Sequence, residues 1–360
     1  MNDLLQRPDG DTRVASPAVA SLALRPVLTG PPRAVRELVR FSQALYLEVV
    51  GPTPDADPDT APGIGPHADP GTAPVPVLAV LGADAVAVPG GLQLTTDLDH
   101  WADGPVTGTI GDGRLVVAGR HLVVHRWWDP VPRLRPSTRP ALHDRGARAA
   151  SLVPAVPGTT GGGWPTGTSE PSLAAAFERV LAALSDGDDR AAATAASALL
   201  GRGPGLTPSG DDLLAGLLAS VPPLAAALTT PAPDGPVDAG TPVGVADPAR
   251  PTSVGAADPA RLAAAARRLA VTVATRAPGR TTTVSAELLR HAATGAVARP
   301  VLRLLRALTG HGALEPAVAG LLAVGSSSGH DLYAGVLGAV RLLTGGIPPH
   351  PTTHSLSRGS

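Results

Sequence analysis

The chain has 360 residues, with 29 basic against 30 acidic side chains, and its formal net charge of −1 excludes a general electrostatic attraction to nucleic acid or an anionic membrane. Every basic side chain apart from histidine is Arg and there is no Cys, which excludes lysine Schiff-base and P-loop chemistry, thiolate catalysis, disulfides and Cys-ligated metal. With 42 Gly, 40 Pro and only four Trp, two Tyr and two Phe, the core must be built from Ala, Val and Leu, a composition that favours closely packed helices.

Residues 1–34 read as an N-terminal segment, and their opening MNDLLQRPDGDTR has no apolar run of signal-peptide length. A cytoplasmic location is therefore expected. Residues 35–135 form a β-rich domain, with alternating apolar positions predicting strands over 41–50, 75–81, 84–88, 106–110, 115–117 and 121–125. The turn Gly111-Asp112-Gly113 predicts a hairpin between two of them. Residues 51–74, dense in Pro, Gly, Asp and Thr, bury too little apolar surface to offset their ordering entropy and are expected to be disordered.

A Pro/Gly-rich stretch, 136–170, reads as a linker, and from there the period changes to that of helices. Helical signal covers 172–185, 188–200, 213–228, 261–275, 285–294, 300–308, 315–324 and 331–343. The helical domain is thus expected over 171–345, with a disordered insert at 229–259 that contains the near-repeat VGVADPAR, VGAADPAR, and a disordered tail at 346–360. The apolar run 213–228 is broken by Pro222 and Pro223 and is too short to span a bilayer, so no membrane partner is expected. The predicted fold class is α+β, a β-rich N-terminal unit followed by a mostly helical C-terminal domain.

The most specific stretch is Gly201-Arg-Gly-Pro-Gly-Leu-Thr-Pro-Ser-Gly-Asp-Asp212, which runs directly into an apolar helix. Its core returns near the C-terminus. Ser209-Gly210-x-Asp212-Leu213-x-Ala215-Gly216-x-Leu218 lines up with Ser328-Gly329-x-Asp331-Leu332-x-Ala334-Gly335-x-Leu337, two similar loop-to-helix junctions. At such a junction the first N–H groups have no helical partner and the helix dipole adds partial positive charge, so a phosphate or carboxylate can be held there. Gly203 and Gly205 let the backbone approach that anion. The same residues admit a second reading, in which Ser209-x-x-Asp212 and Ser328-x-x-Asp331 are capping boxes. Asp211 beside Asp212 would repel an anion unless a cation such as Mg2+ or a nearby Arg intervenes.

Arg276 and Arg280, with Thr281, Thr282, Thr283 and Ser285, make another candidate anion contact, or else a helix cap beside a solvated Arg pair. His330 stands between Gly329 and Asp331, where it is either an acid or base or a surface residue. His121 and His125, spaced i and i+4, share one face of a strand, but no third ligand is evident and no metal site is expected. Trp127 and Trp128 are expected to close a domain junction. No hydrolase triad is indicated, because neither serine sits in a Gly-x-Ser-x-Gly elbow.

GRGPGLTPSGDDLLAGLLA, RTTTVSAELLRHAATG and VGSSSGHDLYAGVLGAV together resemble the family of the AllH-type subunit of oxamate carbamoyltransferase, from Phe41 to near Leu343. The resemblance implies a subunit that works beside other carbamoyltransferase subunits in moving a carbamoyl group between oxalurate and phosphate, with oxamate and carbamoyl phosphate as products, in purine and allantoin catabolism. It does not imply which subunit is catalytic. The family pattern falls on Gly203, Gly205, Thr207, Pro208, Ser209, Gly210, Asp211, Asp212, Thr282, Ser285, Gly325, Ser328, Gly329 and Asp331. Of these, Asp211, Asp212 and Asp331, with His330, are the catalytic candidates. Gly203, Gly205, Thr207, Ser209, Gly210, Arg280, Thr282, Ser285, Ser328 and Gly329 are the candidates for binding a small anionic substrate. Where the family pattern has Gly-His-Thr-Ser-Gly, this chain has Gly325-Ser326-Ser327-Ser328-Gly329. The alternative function is a non-catalytic assembly or carboxylate-sensing protein that uses the same loops for capping.

Overall fold

A computed structural model describes residues 15–50, 77–98, 101, 104–153, 171–229 and 258–346. The chain divides into two compact units at Asp129/Pro130. Among the described residues, the first unit is β-rich and the second helical, the α+β class that the periodicities predict.

In the first unit, β1 (Ala15–Ser21), a 3-10 turn (Leu22–Leu24) and α1 (Arg25–Thr29) lead into β2 (Arg33–Arg40) and β3 (Ala44–Val49). They are followed by β4 (Val77–Leu81), β5 (Gly91–Leu94), β6 (Thr107–Gly111), β7 (Arg114–Val117) and β8 (Arg120–Trp128). The strands close into an eight-stranded barrel in the order β1-β5-β4-β3-β2-β6-β7-β8. The β1–β8 and β4–β5 pairs are parallel and the rest antiparallel. Closure pairs every strand on both sides, and the interior of an eight-stranded barrel is narrow enough for side chains to fill. Leu45, Leu47 and Val49 of β3 alternate inward to meet Leu92, Ile110, Leu115, Val117 and Leu122.

The hairpin predicted at Gly111-Asp112-Gly113 is present: Gly111 pairs with Arg114 across Asp112 and Gly113, both at positive φ. Other expectations need correction. The segment 1–34 supplies β1 and the first residues of β2, whose closure of the barrel the sequence did not announce. The strand expected over 84–88 is a loop, held by Gln93, whose Nε2 donates to the carbonyls of Ala83 and Ala85 at 2.9 Å each. His121 and His125 do not share a face in regular register, because β8 bulges there: Ala18 pairs with Val124 and Val19 with Arg126. Trp127 packs against the barrel core.

The second unit comprises α2 (Arg139–Ser151), α3 (Pro171–Asp186), α4 (Asp189–Ser197), α5 (Ser209–Thr229), α6 (Pro259–Arg276), α7 (Thr283–Ala293), α8 (Arg299–Leu308), α9 (Leu314–Leu322) and α10 (Ser328–Thr344). α2 occupies part of the expected linker. Thr138 caps it, accepting from the Ala141 N–H, and Leu142, Gly146 and Ala149 form its buried stripe. The expected loop 51–74, the Gly-rich 157–168, most of the insert 229–259 and most of the tail 346–360 lie outside the described residues.

At the centre is α5, packed most extensively on α10 and also on α6 and α7. It runs unbroken through Pro222 and Pro223, so the expected break is absent. By length and hydropathy it could cross a membrane, yet most of it is buried in the unit, as the core helix of a helical bundle is.

Candidate functional site

The two Ser-Gly-x-Asp copies start the two central helices, and the small residues that follow let those helices touch backbone to backbone. A Cβ on Gly216 would fall 2.3 Å from Leu332 O, and one on Gly335 would fall 2.4 Å from Leu213 O. Leu213 and Leu332 occupy equivalent places in the two copies, so the contact is reciprocal. The repeat is thus built into the packing as a local two-fold relation. It extends to the helix starts: a Cβ on Gly210 would meet Leu199 O at 2.1 Å, and one on Gly329 would meet Leu321 O at 2.2 Å. These two glycines therefore serve the close turn onto each helix. Gly203, at φ 109°, leaves room for the Ser209 backbone, while a Cβ on Gly205 would meet nothing within 4 Å.

Neither serine caps its helix. Ser209 is the first residue of α5, 1% exposed, and its buried Oγ has no hydrogen-bond partner. Ser328 is likewise inside α10, whose N-cap Ser327 makes no side-chain cap. Instead, Ser328 Oγ lies 2.8 Å from Thr207 Oγ1, which joins the loop before α5 to the start of α10. Both hydroxyls lie near enough to act on the Asp212 carboxyl. The capping-box reading therefore does not describe either junction.

The three carboxylates differ in their surroundings. Asp211 is fully buried and fully used: Oδ1 accepts from the Gly201 N–H at 2.9 Å, and Oδ2 accepts from Ser285 Oγ at 2.7 Å and from Thr281 Oγ1. Asp212 is 1% exposed, and its Oδ2 has no hydrogen-bond partner. Burial pushes its carboxyl well above the usual range; hydrogen bonds from Ser328 and Thr207 pull it down, and the charges of Asp331 and Asp211 push it further up. Asp331 is buried in the first turn of α10, within electrostatic reach of Asp212. His330 is half-buried beside it.

The second candidate contact separates from this cluster. Thr282 is the N-cap of α7: its Oγ1 accepts from the Ser285 N–H at 3.0 Å and donates to Leu206 O at 2.5 Å. Arg280 donates to Ser197 O at 2.9 Å, and Arg276 to Ser197 Oγ at 3.0 Å, so both guanidinium groups sit at the end of α4. Ser285 is committed to Asp211. The structure thus gathers Thr207, Asp212, Ser328 and Asp331, with Ser209 one turn before Asp212 on α5, while Asp211, Ser285, Thr281 and Thr282 hold α5, α7 and the intervening loop together.

Two groups escaped sequence reasoning. Tyr333, on α10, is fully buried with its hydroxyl unpartnered, and burial pushes that hydroxyl well above its ordinary pKa. On α7, Glu287 is 3.1 Å from His291 Nε2 and receives Arg290 Nε at 2.9 Å. Burial alone would raise the Glu287 carboxyl, but hydrogen bonds from Arg290 and His291 hold it below the ordinary value. The i, i+3, i+4 spacing of Glu287, Arg290 and His291 was the available signal. Among the described residues no group of three or more His, Cys, Asp or Glu comes together as a metal cage.

A family model described as oxamate carbamoyltransferase subunit AllH matches residues 199–232 and 253–340. This chain resembles the AllH family. The matched residues carry the whole cluster and both copies of the motif, and the gap at 233–252 falls within the expected insert. The AllH match covers no barrel residue, so the resemblance read from Phe41 onward narrows to the helical unit. No curated protein and no solved structure matches.

Proposed function

We propose that the chain is a cytoplasmic subunit of an oxamate carbamoyltransferase-like complex, and that it holds a small anionic substrate between the N-termini of α5 and α10. The AllH match supports the family role, since the name denotes a subunit and so implies others. The observation that carries the site is the pair of buried, unpartnered oxygens, Ser209 Oγ and Asp212 Oδ2, at a place where two helix starts converge. A buried polar group without a partner costs roughly 1–3 kcal/mol, and a bound ligand removes that cost. Carbamoyl transfer between oxalurate and phosphate depends on positioning and on stabilising charge, which such a site supplies. Asp212, Asp331 and His330 are the groups nearest the chemistry in this reading, and Asp211 is a structural tie.

The test exploits the missing partner of Ser209. A capping serine replaced by Ala costs about 1 kcal/mol, whereas removal of an unsatisfied buried hydroxyl is near neutral or stabilising. Thermal shifts of the purified chain are measured with oxamate, oxalurate, carbamoyl phosphate and phosphate, each with and without Mg2+, and with co-purified partner subunits. A ligand at about 100 times its Kd stabilises the native state by roughly 2.7 kcal/mol. Ser209→Ala is expected to keep or raise the unliganded Tm and to lose the ligand shift. A Ser209→Ala chain that binds as the parent does would remove the site from this junction and favour the assembly or sensing reading.

A further inference from the structure

Donors and acceptors are unevenly placed around the start of α5. In the loop before it, the N–H groups of Gly203, Gly205 and Leu206 make no hydrogen bond to another backbone carbonyl among the described residues, so they are donors for an anionic oxygen. The side chains offer the opposite. Ser209 and Asp212, three residues apart and so on one face of α5, are each 1% exposed, and they bring an unpartnered Oγ and an unpartnered Oδ2. Ser209 Oγ faces the loop, 3.2 Å from the point where a Cβ on Gly203 would stand, a place that glycine leaves open. The 2.8 Å contact between Thr207 Oγ1 and Ser328 Oγ brings the start of α10 to the same loop.

A ligand that is anionic throughout answers only half of this arrangement. Oxalate brings acceptors to the loop N–H groups, but at Asp212 it sets lone pairs against lone pairs, next to the buried Asp211. An N–H at that end of the ligand removes the conflict. An ammonium group would also donate to Asp212, yet it gives the Ser209 proton no acceptor, whereas an amide carries a carbonyl oxygen beside its N–H.

We infer that the junction recognises a primary amide on a small carboxylate: Asp212 Oδ2 accepts an amide N–H, Ser209 Oγ donates to the amide oxygen, and the carboxylate end takes the loop N–H groups. The inference rests on the reading of this junction as an anion site, and it names the end of the ligand that the site selects. Asp212 is thereby the residue that sets specificity. The loop supplies the affinity common to all small carboxylates.

The full chain, alone and with its co-purified partner subunits, is titrated with oxamate, pyruvate, oxalate and glycine. Where oxamate carries its amino group, pyruvate has a methyl group and oxalate an oxygen, while glycine replaces the amide by an ammonium group. Oxamate is expected to bind roughly 10- to 100-fold more tightly than pyruvate, the range for one hydrogen bond to a charged group. Asp212→Ala is expected to erase that preference, oxamate falling to the level of pyruvate. Ser209→Ala is expected to weaken both alike, because both carry the carbonyl oxygen. The comparison in the parent chain stands whether or not either variant folds. Equal binding of oxamate, pyruvate and oxalate overturns the inference and leaves the anion site intact, and so does tighter binding of oxalate or glycine than of oxamate. A preference for oxamate that survives Asp212→Ala overturns the assignment to Asp212. No binding of any of the four, even with partner subunits present, overturns the anion-site reading and the inference with it.

Discussion

Gly335→Val is expected to cost the helical unit more stability than an ordinary core substitution, and to be read as a large fall in urea midpoint or as loss of a cooperative transition. The added Cβ would lie 2.4 Å from Leu213 O, 2.7 Å from Leu217 N and 2.9 Å from Gly216 Cα. All three are backbone atoms of the facing helix, so no rotamer change relieves the overlap. Overpacking a core typically costs about 1–3 kcal/mol where side chains can shift; here α5 and α10 themselves must separate, loosening the largest packed interface in the unit. Gly216 and Gly335 meet at one crossing, so Gly216→Ala and Gly335→Ala should be less than additive, the first substitution having already moved the helices apart. Gly320 provides the control. It lies in α9, where a Cβ meets nothing within 4 Å, so Gly320→Ala should stabilise by about 0.5–1 kcal/mol.

That crossing was legible because it depends on side-chain size at fixed spacing. Gly216 and Gly335 stand in the same place after Ser-Gly-x-Asp, and helical period alone brings them to the face that carries Leu213 and Leu332. Much of the barrel was harder to read for an equally physical reason. β1 reads ASPAVAS, with Pro17 and small residues, and its pairing is decided by β5 and β8, which are distant in sequence. β2, RAVRELVR, places Ala34, Val35, Leu38 and Val39 in a pattern closer to helical spacing than to alternation, and only the barrel makes it a strand. The opposite error, a strand at 84–88, came from alternating Ala and Val whose backbone is held by a single side chain, Gln93. α2 was hidden by its Arg and Pro content, although Thr138 before Arg139-Pro140 was a start signal.

At the two helix starts, the sequence places Ser209, Asp211, Asp212, Ser328 and Asp331 together but does not divide them by environment. Asp211 and Asp212 are adjacent and chemically identical, yet α5 turns one toward Thr281 and Ser285 and the other toward Thr207 and Ser328. Only the fold shows that one carboxyl is saturated with donors while the other keeps an open oxygen. The sequence likewise does not show that Arg280 donates to the carbonyl of Ser197 at the end of α4.

The division predicts opposite behaviour for neighbouring substitutions. Asp211→Ala is expected to destabilise the helical unit by roughly 1–3 kcal/mol for each buried donor it leaves without an acceptor. The Gly201 N–H, which cannot turn away, loses its acceptor at 2.9 Å, and the tie from α5 to the start of α7 through Thr281 and Ser285 is cut. Asp211→Asn should recover a large part of the loss, since its amide oxygen can still accept from Gly201 while the two hydroxyls rotate to accept from the amide nitrogen. Asp212→Ala, by contrast, removes a desolvated carboxyl with an unpartnered oxygen, and should cost far less in urea unfolding while abolishing the ligand-induced thermal shift. Equal loss of stability in Asp211→Ala and Asp212→Ala would mean that both carboxyls tie the helices together, and would move the anion-site reading from Asp212 to Ser209 Oγ.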